Sequence, residues 1–191
     1  MELENRYQQL IGNSSIFTSI FRKKSIEIRI TLDWYQYLRA EAFIEDILEL
    51  AGANIGFTIT DLVGLLFEDF LYQVRSGVDL KLLGQKLIEK RNLLEAKRST
   101  EDLMQVDVNH WSLRSRPNDI SEVEIRIRYA RKSVLRGEIL LQDIDQIFRT
   151  KIITFEELNI ILLNDFVDEI KKGNQAAAIK KILRRLRDQR A

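Results

Sequence analysis

Positive charge gathers in two places along the chain, and those are where a polyanion or an acidic partner would be held. The first is Arg126, Arg128, Arg131 and Lys132; the second is the C-terminal run Lys180, Lys181, Arg184, Arg185 and Arg187. Guanidinium and ammonium groups clustered on one surface bind phosphates by displacing counterions. In the second run Ile179, Ile182, Leu183 and Leu186 fall on one side of a helix, so the same residues also read as a basic amphipathic helix. Such a helix packs its stripe on its own core and offers its cations to an acidic protein.

Carboxylates are the other candidates. Asp69 and Asp165 each stand one residue before an inward phenylalanine, and Glu41 and Glu138 interrupt apolar helical patterns in the same way. Four symmetric acids raise the question of a metal. With a single histidine, His110, and no Glu-x-x-His pair, pairing with Arg39, Arg136 or helix N-termini is the expected role, because an acid at a core edge is normally partnered. His110 and Trp111 could mark a ligand pocket, and the plainer reading is a segment anchored by one aromatic residue. There is no cysteine, no glycine-rich phosphate loop and no serine set in a nucleophile elbow. No catalytic residue, metal site or cofactor is expected, and the chain is not read as an enzyme.

Composition sets the frame. The 191 residues are 45% apolar and 31% charged, ordinary for a globular chain, and the formal net charge of +1 leaves nucleic-acid binding to local patches. No apolar run reaches the length of a membrane span. The start Met-Glu-Leu-Glu has no basic region ahead of an apolar stretch. With the lack of cysteine, this leads to the expectation of a cytoplasmic protein.

The elements that must position these residues come in two copies. Ser25-Ile26-Glu27-Ile28-Arg29-Ile30 returns as Glu122-Val123-Glu124-Ile125-Arg126-Ile127, each alternating apolar with polar as a strand buried on one face does. Beyond the strand, Leu38, Arg39, Glu41, Asp46 and Ile47 align with Leu135, Arg136, Glu138, Asp143 and Ile144. After one deletion, Thr58, Leu62, Leu66, Asp69, Phe70 and Gly77 align with Thr154, Leu158, Leu162, Asp165, Phe166 and Gly173. The reading is a tandem duplication. In the first copy (25–97) Asp33 caps a helix A over about 33–51, Thr58 and Asp61 form a capping box for a helix B ending near Gly77, and a third helix runs to about residue 97. In the second (122–191) the strand covers 123–128, helix A about 130–148, and a Thr154 to Glu157 box opens helix B to about 171, with a third helix from 174. Residues 1–24 read as an N-terminal arm or docking helix ending in Arg22-Lys23-Lys24, and 98–121 as a polar linker.

A lone strand leaves its backbone groups unpaired, and a tandem copy supplies the partner. The expected fold is therefore mostly α: two β-α-α(-α) repeats related by a pseudo-twofold axis, joined by a short antiparallel two-stranded ribbon. "IEIRITLDWYQYL" and "GFTITDLVGLLFEDFL" resemble the strand, helix A and helix B of the ribbon-helix-helix DNA-binding family, here as a single-chain tandem version. The resemblance implies that outward strand residues read base edges in the major groove while the N-terminus of helix B holds a phosphate. Carried over by position, these are Glu27, Arg29 and Thr31 with Glu124, Arg126 and Arg128 on the ribbon, and Thr58 with Thr154 at helix B. The chain departs from the family in its longer helix A, its third helices and its two ribbon glutamates.

Two functions follow as expectations. One is a DNA-binding transcriptional regulator or accessory protein using an intramolecular ribbon on double-stranded DNA. The other is a non-enzymatic helical scaffold with an acidic protein partner, its Glu27, Arg29, Glu124 and Arg126 merely forming cross-strand ion pairs worth roughly 0.2 to 1 kcal/mol each. The chain is expected to be a monomer with pseudo-twofold symmetry, or a dimer that exchanges halves across the linker.

Overall fold

The computed structural model describes residues 24–51, 56–107, 110–117, 121–149 and 152–188, and side chains at 51, 97–117, 187 and 188 lie outside that description. The proposed arm falls outside it too, save for Lys24. Strand β1 (Ser25–Asp33) pairs antiparallel with β4 (Glu122–Ala130) within the one chain, as the alternation predicts. Their inward residues, Ile26, Ile28, Ile30 and Leu32 with Ile125, Ile127 and Tyr129, are all buried, and full burial of one such side chain stabilises by about 1.5 to 3 kcal/mol.

Helix α1 (Trp34–Ala51) follows β1 directly, and the Asp33 carboxylate accepts from the backbone N–H groups of Tyr35 at 2.8 Å and Gln36 at 3.2 Å. Helix α2 (Ile59–Arg75) opens with the expected capping box, and Gly77 beyond its end takes a φ of 99° that favours glycine. Helix α3 (Leu80–Arg98) is capped by Asp79. The second half repeats the plan with α4 (Arg131–Phe148) and α5 (Phe155–Glu169), again opened by a capping box. The expected break between helix B and the third helix is a kink at Ile170–Asn174 leading into α6 (Gln175–Asp188). Gly173 in that kink takes a φ of 94°, the same handedness as the aligned Gly77.

The segment expected to be a polar linker forms a hairpin instead. Strands β2 (Ser99–Asp107) and β3 (His110–Pro117) make a second antiparallel ladder with a register shift between Gln105 and Asp107. Its polar composition hid a period of two that is plain in Trp111-Ser112-Leu113-Arg114. The described residues are thus mostly helical, with two two-stranded antiparallel ribbons.

The two halves interlock. Helix α2 packs beneath β4 and α5 beneath β1, so each strand rests on the second helix of the other half. The third helices cross over likewise, α3 lying on α4 and α5, and α6 on α1. At the centre, the rings of Phe67, Tyr129 and Phe155 meet edge to face with centroids 4.9 to 5.6 Å apart. Helix α4 reaches that cluster only because residue 137 is glycine: a Cβ there would stand 2.7 Å from Phe155 and 2.8 Å from Phe67.

Candidate nucleic-acid interface

The ribbon's outer face carries Glu27, Arg29 and Thr31 on β1, and Glu124, Arg126 and Arg128 on β4, all solvent-exposed except the half-buried Thr31. The register decides what they do. Arg29 lies directly opposite Arg126, Glu27 opposite Arg128, and Thr31 opposite Glu124. The cross-strand ion pairs of the alternative reading therefore do not form around Arg29: it faces another arginine. The ion pair that does form lies within β4, Arg126 Nε to Glu124 Oε1 at 3.4 Å. Like charges directly opposite in a ribbon are destabilising, so the arginine pair is a cost that a bound anion would remove.

Charge along this face is polar. One end gathers Arg128, Arg131 and Lys132 with Lys24; the other has Asp33, Glu122 and Glu124 beside Trp34 and Tyr35. The Asp33 carboxylate is engaged by the N-terminus of α1 and Glu124 by Arg126. Matching backbone bonds close both ends of the ribbon, Arg131 N–H to the Lys24 carbonyl at 3.1 Å and Trp34 N–H to the Ser121 carbonyl at 2.9 Å. Where the second half places Arg131 and Lys132, the first places Trp34, stacked on Tyr37 at 5.7 Å, and Tyr35, which is 74% exposed.

Thr58 and Thr154 are N-caps. Thr58 Oγ1 accepts from the Asp61 N–H and the Thr58 N–H donates to Asp61 Oδ2 at 2.9 Å; Thr154 Oγ1 accepts from the Glu157 N–H at 3.1 Å and its N–H donates to Glu157 Oε2 at 2.6 Å. A carboxylate of the chain itself thus sits at each helix N-terminus, and α5 adds Glu156 in its first turn. These charges repel a phosphate and complement the helix dipole. The geometry makes both threonines caps.

The basic tail is only partly available. Ile179 and Ile182 are buried and Leu183 and Leu186 pack against the core, the stripe the spacing predicts. Lys181 Nζ stands 3.0 Å from Asp69 Oδ2 and Arg185 pairs with Oδ1 of the same carboxylate, which is 7% exposed. Lys180 and Arg184 stay exposed, and the Arg187 side chain lies outside the described residues. Asp165 pairs with Lys90 of α3. Asp69 and Asp165, expected to meet Arg39, Arg136 or helix N-termini, instead meet cations on the crossing third helices, a partner choice that only the interlock reveals. Glu41 accepts from Tyr37, whose hydroxyl is held above its ordinary value by burial and by that carboxylate. Among the described residues no three of these acids are grouped as metal ligands, and the side chains of His110 and Trp111 lie outside the described residues.

Sequence reading missed the buried pair on the ribbon's underside. Tyr129 donates to Asn159 Oδ1 at 2.6 Å, and Asn159 Nδ2 donates to the Phe155 carbonyl at 2.7 Å. The signal was in the sequence alignment of the two halves, which sets Tyr129 and Asn159 against Leu32 and Val63. Among the described residues no helix is long and apolar enough to cross a membrane. No family model, curated protein or solved structure matches the chain.

Proposed function

We propose that this chain is a DNA-binding regulator or accessory protein that lays the outer face of the β1–β4 ribbon on a duplex, its two halves acting as a pseudo-twofold pair. The observation that carries the reading is Arg29 facing Arg126 at the ribbon's centre. These two are also aligned positions of the two copies, as are Trp34 and Arg131, whose matching backbone bonds close the ribbon. An arginine pair relieved only in part, by Glu124 on the Arg126 side, and flanked by Arg128 and Lys132, is an arrangement that phosphate oxygens or guanine edges satisfy bidentately. The duplex then sits off centre, toward the basic end, because Glu122 and Glu124 repel it at the other.

The test is anisotropy of a labelled duplex across a salt series. Binding is expected to weaken steeply with salt, and Arg126→Ala with Arg128→Ala to lower the log-log slope by about 2 and to weaken binding more than Arg29→Ala. A chain that associates with no duplex at low ionic strength overturns the proposal. A second reading, a helical scaffold for a protein partner, draws on the exposed Trp34 and Tyr35 beside acids at the opposite end. Co-purification of a partner that survives nuclease treatment and is lost in Tyr35→Ala supports that reading.

A further inference from the structure

A cavity of about 480 Å³ opens between the first half of α2, the end of the ribbon and α6. Pockets for small ligands begin at about 300 Å³. Its apolar surface comes from Phe57, Leu65 and Leu186, and Gly64, in the interior of α2, also lines it. Glycine inside a helix is destabilising relative to alanine, so it calls for a reason. At Gly84 and Gly137 the reason is close packing. At Gly64 an added Cβ would meet nothing within 4 Å. The absent side chain leaves space that packing does not use.

The second copy serves as an internal control. Gly56 and Gly64, which both line the cavity, align with Ile152 and Ile160, and both isoleucines are packed into the core. The first copy keeps open what the second fills. Four charged side chains border the space, and two of them are committed: Arg185 to Asp69, and Asp61 to the Thr58 cap. That leaves Arg128 and Glu68, neither of which has an ion-pair partner among the described residues.

We infer that this cavity binds a small zwitterion with a large apolar side chain, of the α-amino acid class. Arg128 takes the carboxylate bidentately, Glu68 takes the ammonium group, and the side chain lies over Gly64 against Phe57, Leu65 and Leu186. A dianion such as phosphate does not suit the site, since Glu68 and Asp61 both border it. Arg128 also belongs to the ribbon's outer face. On the proposed function, a bound amino acid therefore withdraws one cation from the duplex, making the cavity an effector site.

The experiment is calorimetric titration of the full chain with L-phenylalanine, L-leucine, 3-phenylpropanoate, phenethylamine and inorganic phosphate. Saturable binding of an amino acid is expected, weakened roughly tenfold or more in the two analogues that lack one charge. Arg128→Ala should lose the preference for L-phenylalanine over phenethylamine, and Gly64→Ile, copying the second half, should abolish binding while circular dichroism reports an unchanged fold. If Gly64→Ile does not fold, Glu68→Gln serves, expected to erase the preference for L-phenylalanine over 3-phenylpropanoate. No binding of either amino acid at millimolar concentration, equal binding by Gly64→Ile, or binding of phosphate alone overturns the inference. The titration needs no DNA, so failure of duplex binding leaves it intact; if both hold, L-phenylalanine lowers duplex affinity.

Discussion

Residues on opposite faces of the β1–β4 ribbon illustrate how register assigns roles that residue type alone does not. Tyr129 points inward, and burial together with the Glu68 charge holds its phenol far above its ordinary value. A phenol whose value is raised by folding contributes stability that is fully present below the unfolded value, about 10, and is lost as pH rises beyond it. Urea denaturation should therefore show a loss of stability above about pH 10 that is smaller in Tyr129→Phe. At neutral pH the same substitution should cost about 1 to 3 kcal/mol, because Asn159 Oδ1 is left buried and unpaired, and Asn159→Val in addition should recover part of it. A loss as large in the double variant as in the single one would mean that the hydrogen bond is not what holds the site. On the outer face, Arg29→Ala should leave stability unchanged or raise it by a few tenths of a kcal/mol by relieving Arg126, whereas Ile28→Ala should cost about 2 to 5 kcal/mol. Equal losses at the two positions in a denaturant titration would reverse the assignment of faces.

At the scale of elements, local rules were legible wherever they are written in consecutive residues. The alternation of β1 and β4, the Asp33 cap, both capping boxes and the glycines after α2 and α5 all stand in the sequence and all recur in the structure. The β2–β3 hairpin was not legible, since its alternation is diluted by serine, aspartate and arginine and reads as solvent-exposed chain. Nor were the partners of Asp69 and Asp165, because sequence periodicity says which face is inward without saying which helix crosses it. Close approach is equally silent: nothing around residue 137 announces that two phenylalanine rings will sit under it. Gly137→Ala should consequently be destabilising by about 1 to 3 kcal/mol although alanine is the better helix former, since its methyl would stand within 3 Å of both rings. Thermal denaturation checks this, and a gain in melting temperature would show that α4 moves aside at no cost.

For the whole molecule the consequence is that neither half owns a complete core. β1 rests on α5 and β4 on α2, α3 lies on α4 and α5, and α6 is drawn to α2 through Lys181, Arg185 and the buried Asp69. Removing residues 179–191 therefore exposes Ile179 and Ile182 sites and strips a buried carboxylate of its cations, so any change it causes in DNA binding is entangled with lost stability. The Lys90–Asp165 pair on the other side is about two-fifths exposed at each end and contributes at most about 1 kcal/mol. Interlocked halves should unfold together, with circular dichroism and tryptophan fluorescence giving one coincident transition. Separate fragments sharpen the test. Residues 24–98 or 121–191 expressed alone have an unpaired strand and an uncovered second helix, so either one should be unfolded or should fold only by pairing with a second copy of itself, which would make its melting temperature rise with concentration. In such a self-pair of the second fragment Arg126 again faces an arginine, and mixing the two fragments should restore the native transition without relieving that repulsion. A fragment that melts cooperatively, alone and independently of concentration would show that one half suffices, and the interlock would then be packing laid over two autonomous units.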